Sequence, residues 1–201
     1  MLTAPESGAR NTLAIVTFGD RPTILVDYTA DAAQLQQGIN RIFPQPGSGL
    51  YLLDGLIEVC RGFTKREARR PVIVALTTEG PEFSSRHFDL VLTPLAEAGA
   101  TFHALMIGQP SGDISDEARN MAIVLAQGTQ RSGGRYDTLL SSTALPGAMK
   151  QLAAELTHQY AVTYARPQSL IPPERVTVSA ARRGLVARGI LITDQRERGR
   201  P

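Results

Sequence analysis

The chain has no tryptophan, one cysteine and three histidines in 201 residues. A single cysteine, Cys60, excludes an internal disulfide and a multi-cysteine metal site. Its setting in "LLDGLIEVCRGF" is that of an ordinary half-buried thiol. His87, His103 and His158 fall on three different elements, with no second His or Cys at ligand spacing. The reading for His103 is a packed or hydrogen-bonded residue at the core edge, and for His158 a helix end, where a cation is favoured. No apolar run approaches the roughly 18 residues of a membrane span. The opening "MLTAPESGARN" shows no charged region followed by an apolar one, so no signal peptide is visible in it. Also lacking are a Gly-x-Ser-x-Gly nucleophile elbow and a phosphate loop ending in Gly-Lys-Ser/Thr. Charge of one sign is not in excess: 21 basic against 19 acidic side chains leave +2, which gives no strong pull toward nucleic acid. The basic runs "TKREARR" and "AARRGLVARG" have no interleaved aromatics and read as solvated surface.

Hydrophobic residues are 42% of the chain, sufficient for a substantial core. "NTLAIVTFGDRPTILVDYT" reads as strands over 12–18 and 23–27 around a Gly-Asp-Arg-Pro turn, and so short a connection makes the pair antiparallel. A helix follows, capped by Thr29 or Asp31, with Leu35, Ile39 and Ile42 on one apolar face. After "PQPGSG" a second helix starts near Gly49, carrying Leu50, Leu53, Ile57 and Cys60 on one stripe. "VIVALTT" is apolar on both faces and predicts a central parallel strand covered on two sides. The hydroxyls and acids of "TTEGPEFSS" are expected to cap the next helix, beginning near Ser84 or Ser85, holding Pro94 and ending at Gly99. A strand over 101–107 comes next, then a helix capped by Ser115 and stopped by Gly128. A short edge strand near Arg135 and Tyr136 precedes a helix bearing Leu145, Met149, Leu152 and Leu156. Beyond it "QYAVTYARP", "ERVTVSAA" and "GLVARGILI" read as strands, with Tyr160 and Tyr164 packing on one face. The division is therefore an α/β domain over 1–160, a β-rich extension over 161–193 and a polar tail over 194–201.

The order of these elements resembles a von Willebrand factor type A domain, and more closely the bacterial group called VWFA-related, best represented in acidobacteria. "NTLAIVTFGDRPTILVDYTADAAQLQQGINRI" is similar to that family's second and third strands and following helix. "GSGLYLLDGLIEV" is similar to its Gly-Thr-Ala-Leu-Tyr-Asp-Ala-Leu segment. "PVIVALTTEGPEFSSRHFDLVLTPLAEAGATFHALMIG" resembles its fourth strand, acidic loop, helix and fifth strand. "ELTHQYAVTYARP" with "RVTVSAARRGLVARGIL" resembles its C-terminal Tyr-rich strand and basic hairpin. The resemblance implies a doubly wound, Rossmann-like sheet of order 3-2-1-4-5-6 with a C-terminal antiparallel extension. It also implies Mg²⁺ held by three loops at the C-terminal strand ends. Residue by residue, the first loop with its Asp-x-Ser-x-Ser has no counterpart, the second-loop Thr falls at Ser48, and the third-loop Asp falls at Thr78 with Glu79 beside it. Ser48 and Glu79 alone fall short of a hard-cation cage, so the site reads as degenerate and no cofactor is expected for this chain.

The family's first strand, the central one, is likewise without a counterpart. Three outcomes follow: a longer protein of which this is part, which would also be exported; direct closure of strands two and four; or donation of the strand by another chain. The function implied is a non-enzymatic protein-interaction module, for adhesion or assembly, contacting a protein partner through Ser48, Thr78 and Glu79 or through an open sheet edge. The alternatives are a doubly wound α/β enzyme using Glu79 or Glu82 as acid/base, and a truncated gene product without independent function.

Overall fold

The structure, a computed structural model, describes residues 2–3, 11–43, 49–78, 80–108, 115–162 and 178–190. Its first element is a two-residue strand, β1 (Leu2–Thr3). Strands β2 (Leu13–Thr17) and β3 (Thr23–Thr29) form the expected antiparallel hairpin, with register shifts between Leu13 and Val16. Helix α1 (Ala32–Ile39) begins at Asp31, whose carboxylate accepts from the N–H of Ala33 at 2.8 Å and of Gln34 at 3.4 Å. It packs on the hairpin through Gly38, where a Cβ would lie 2.1 Å from Cγ2 of Val26. Its expected apolar stripe is buried only in part: Leu35 is half-buried, whereas Ile39 is 50% exposed and Ile42, beyond the helix end, 53%.

Helix α2 (Leu52–Lys65) supplies much of the core, burying Leu52, Leu53, Leu56, Ile57, Cys60 and Phe63. Strands β4 (Val72–Thr78), β5 (Thr101–Ile107) and β6 (Tyr136–Leu139) form a parallel sheet in that order. Between them run α3 (Asp89–Glu97) and α4 (Asp116–Ile123), the latter capped by Ser115 as expected. α3 starts later than Ser84 or Ser85 and has no side-chain cap; Gly99 ends it at φ 61°. Gly128 is not a stop. A π-turn (Val124–Gly128) carries the helix on into α5 (Thr129–Arg131), with Gly128 packed on Phe102, Leu95 and Leu92. Helix α6 (Leu145–Thr157) buries only Leu152 of the four expected residues, and Met149 is 37% exposed. His158 terminates it, Nδ1 lying 2.7 Å from the carbonyl of Ala154. Strand β7 (Ala161–Val162) pairs with β1, Tyr160 is exposed rather than packed, and residues 178–190 contain no strand. The rest of the expected β extension, with Tyr164 and the polar tail, lies outside the described residues.

The main core lies on one face of the parallel sheet. Ile73, Ala75, Phe102, Ala104 and Met106 meet α2, α3 and α4 there. On the other face, β5 is covered but β4 only in part: His103 and Leu105 are 3% and 1% exposed, Val72 and Val74 are half-buried, and Leu76 is 42% exposed. The expectation that β4 is a central strand covered on both sides is therefore corrected. It is an edge of the three-stranded sheet, and the hairpin is a separate two-stranded sheet. Strands β2 and β4 do not close up and pair, which removes direct closure as an outcome.

Candidate functional site

The C-terminal ends of β2 and β4 meet at the start of α2. Phe18, one residue beyond β2, accepts from the N–H of Tyr51 at 2.9 Å. Leu50 accepts from the N–H of Phe83 at 2.7 Å and donates to the carbonyl of Pro81 at 3.2 Å, a parallel bridge to the chain just past β4. Leu50–Tyr51 is thus bonded on one side to each, as a short central strand would be.

Helix α2 has no cap of its own, since Tyr51 offers no side-chain acceptor. The loop after β4 supplies it. Glu82, 4% exposed, accepts from the N–H of Leu52 through Oε2 at 3.2 Å and from the N–H of Ser84 through Oε1 at 2.9 Å. Ser84, fully buried, accepts from the N–H of Asp54 at 3.2 Å. Arg86 Nε donates to Asp54 Oδ1 at 2.7 Å. Glu82 and Ser84 of the loop therefore cap the preceding helix, not the following one. Their spacing was visible in the sequence; their target, some thirty residues back, was not. Burial pushes the Glu82 carboxyl above its ordinary range, although the hydrogen bonds from Ser84, Leu52 and Leu53 pull the other way.

Outside this staple the described residues of the edge include an exposed aromatic and an exposed hydroxyl. Phe83 is 50% exposed, its ring 6.1 Å from that of Tyr51, and it crowds Gly49 so closely that a Cβ there would fall 1.6 Å from the Phe83 ring. Thr78 ends β4 exposed, while Thr77 is buried. A shallow cavity of about 300 Å³ lies beside Glu82 and Phe83, lined also by Pro81, Ser85, Ser115 and Glu117. Of the sequence-derived site residues, Thr78 stands at this edge, and Ser48 and Glu79 lie outside the described residues. Sequence reasoning missed Phe83 and Tyr51, for which the only signal was an aromatic on either side of the acidic loop's partners.

The described residues here do not fit a hard cation. Glu82 is the buried carboxylate of the edge, and both of its oxygens already satisfy backbone donors. Among the described residues no group of three or more His, Cys, Asp or Glu is arranged to hold a metal, and no helix is long and apolar enough to cross a membrane.

A second polar cluster joins β5, β6, α6 and the 178–190 segment. Glu155 accepts from Arg135 at 3.4 Å and Arg188 at 2.5 Å, and Arg135 also pairs with Asp137. His103 is buried beside it, and neither ring nitrogen has a hydrogen-bond partner. It is packed as expected, but not hydrogen-bonded. Cys60 is 1% exposed, and burial pushes its thiol up to about 12, so the half-buried reading is corrected to a fully buried one.

No protein-family model matches the chain, and no curated protein does. Among solved structures it is similar to the conserved hypothetical protein BatB from Bacteroides thetaiotaomicron, at 16% identity and a TM-score of 0.54 over 72% of this chain and 78% of that one. An uncharacterized membrane spanning protein from Vibrio fischeri aligns at 15% identity over 71% of this chain and 75% of that one, but its TM-score of 0.33 carries no structural argument. The fold and site together define a mixed α/β protein: an open parallel sheet with an antiparallel pair beside it.

Proposed function

We propose that the chain is a non-enzymatic protein-interaction module of the von Willebrand factor A type, serving adhesion or assembly. Its partner docks on the edge presenting Thr78, Phe83 and the Leu50–Tyr51 segment, with Ser48 and Glu79 placed in the same contact by sequence position. One observation carries the reading. The edge's buried carboxylate, Glu82, is engaged in holding α2, and among the described residues the edge presents the aromatic ring of Phe83 and the hydroxyl of Thr78 outward. Exposed aromatics at a rigid strand end suit protein contact. The order of motifs in the sequence supports the family assignment, and the likeness to BatB supports the mixed α/β fold that it implies. Metal-mediated contact is not part of the proposal, because the described donors do not fit one.

Photocrosslinking tests it. A photoreactive residue at Thr78 should give a discrete protein adduct in the cell that makes the protein, and one at exposed Glu97, on α3, should not. Equal labelling from both positions would contradict it.

A further inference from the structure

Behind the parallel sheet, away from the strand-end edge, His103 and Glu155 leave buried polar atoms without a hydrogen bond: both ring nitrogens of the histidine and Oε2 of the carboxylate. The charges around them balance. Facing His103 are Glu155 of α6, Asp137 of β6, Arg135 immediately before β6, and Arg188 of the 178–190 segment. From β4 its register neighbour is the uncharged Val74. Two cations stand against two anions, so a neutral imidazole leaves the cluster balanced. An imidazolium puts it in surplus by one positive charge.

These partners are not equally fixed. Arg135 is tied to the sheet, its carbonyl accepting from the N–H of Ala104 at 2.9 Å, and Asp137 lies in register with Leu105. Glu155 is part of helix α6. Arg188 belongs to a segment with neither helix nor strand over 178–190. Among the described residues, two contacts join that segment to the body. Arg188 Nη2 donates to Glu155 Oε1 at 2.5 Å. The backbone of Gly189 lies on Gly133, where a Cβ would fall 2.6 Å from the Gly189 carbonyl. Gly133 has φ 75°, so the lack of a side chain serves both the turn after α5 and the seat of the segment. At the segment's tip the N–H of Leu185 returns to the carbonyl of Arg182 at 3.4 Å, and Val186 is 85% exposed.

We infer that Arg188 and Gly189 form a proton-sensitive latch: uptake of a proton by His103 expels Arg188 from Glu155 and frees the 178–190 segment from β6 and α6. The device goes beyond the interaction reading and does not depend on it. Its sign follows from the cluster. With the segment seated, burial first, and then Arg188 and Arg135 against the pull of Glu155 and Asp137, hold the imidazole neutral below its usual 6.5. With Arg188 gone, Arg135 alone faces the two carboxylates, and an imidazolium restores the balance. The unseated form therefore binds the proton more tightly. Seating is favoured at neutral pH and weakens as pH falls below 6.5.

The test uses the full chain with one substitution, Val186→Cys, labelled with a nitroxide while buried Cys60 stays unmodified. At about 3.5 Å per residue the label lies within roughly 15 Å of Gly133 and Glu155 when the segment is seated. At pH 7.5 it should broaden the amide signals of Gly133, Gly134 and Glu155. At pH 5.5 the ratio of seated to unseated segment should fall about fivefold, within the tenfold limit that one proton sets for each pH unit. The core amides of Leu53 and Phe102 should keep their positions. Adding His103→Leu should preserve the broadening at pH 5.5. Arg188→Met, at a side chain 37% exposed, should lose most of it already at pH 7.5. Broadening absent at pH 7.5, undiminished at pH 5.5 or undiminished in Arg188→Met would each overturn the latch. So would an equal acid loss in His103→Leu, which would place the titration on another group. Core signals that shift together with the loss would overturn it too, by showing the whole chain unfolding and not one segment leaving.

Discussion

Oε2 of Glu82 accepts a hydrogen bond from the backbone N–H of Leu52 across a separation of thirty residues, at 3.2 Å. The helix that gives the core its largest share is capped by a loop belonging to the next strand. Folding of α2 is thereby coupled to the position of the site edge, and the loop is held rigid by the same contacts that stabilise the helix.

Replacing Glu82 by Ala strips partners from the N–H groups of Leu52 and Ser84 and should cost about 1–3 kcal/mol in chemical denaturation. The pH dependence separates charge from shape. Because burial raises the carboxyl's folded-state titration, its contribution is fully present below the ordinary Glu value of 4.5 and is lost as pH rises through the folded-state value. Wild type compared with Glu82→Gln should therefore lose relative stability as pH increases. A relative gain would mean that the hydrogen bonds, not burial, dominate.

His103 predicts the opposite sign. Desolvation lowers its titration below 6.5, opposed by Glu155 of α6 and Asp137 of β6 and reinforced by Arg135 and Arg188. The unfolded chain then binds the proton first, so stability falls as pH drops below 6.5. His103→Leu also removes two unpartnered buried nitrogens. It should raise stability by about 1 kcal/mol at neutral pH and by more at pH 5, read from paired urea titrations.

The Cys60 thiol, buried with its titration pushed up to about 12, should resist Ellman's reagent at pH 8 in the native state and react fully in denaturant. Rapid native reaction would place Cys60 at the surface.

Gly38→Ala tests the hairpin's attachment to α1. The added Cβ would meet Val26 at 2.1 Å, so either the helix or the strand must shift, at a cost of about 1–3 kcal/mol. An unchanged melting temperature would show that α1 is only loosely seated.

Local signals were legible where local physics decides. Asp31 and Ser115 cap the helices they precede, Gly99 ends α3 with the positive φ its position requires, and 101–107 is a strand over its whole expected length. What could not be read was tertiary. Ser84 has the chemistry of a cap, but which helix it serves depends on the return of a loop to a point thirty residues earlier. "VIVALTT" has the composition of a strand buried on both faces, yet Leu76 is exposed, because composition reports what a strand could bury and not which neighbours reach it. Gly128 has the look of a stop but is a packing residue, where a Cβ would press on Phe102 at 3.2 Å and on Leu95 at 3.3 Å.

Among the described residues the edge of β4 that turns away from β5 is unpaired, and it ends at Thr78, where the proposed contact lies; hydrogen exchange on the free chain reads it directly. Val74, Leu76 and Thr78, whose amides point away from β5, should exchange markedly faster than Ile73, Ala75 and Thr77, which donate to it. Uniform protection along β4 would show that edge, Thr78 included, covered by the chain itself and would contradict the proposed contact.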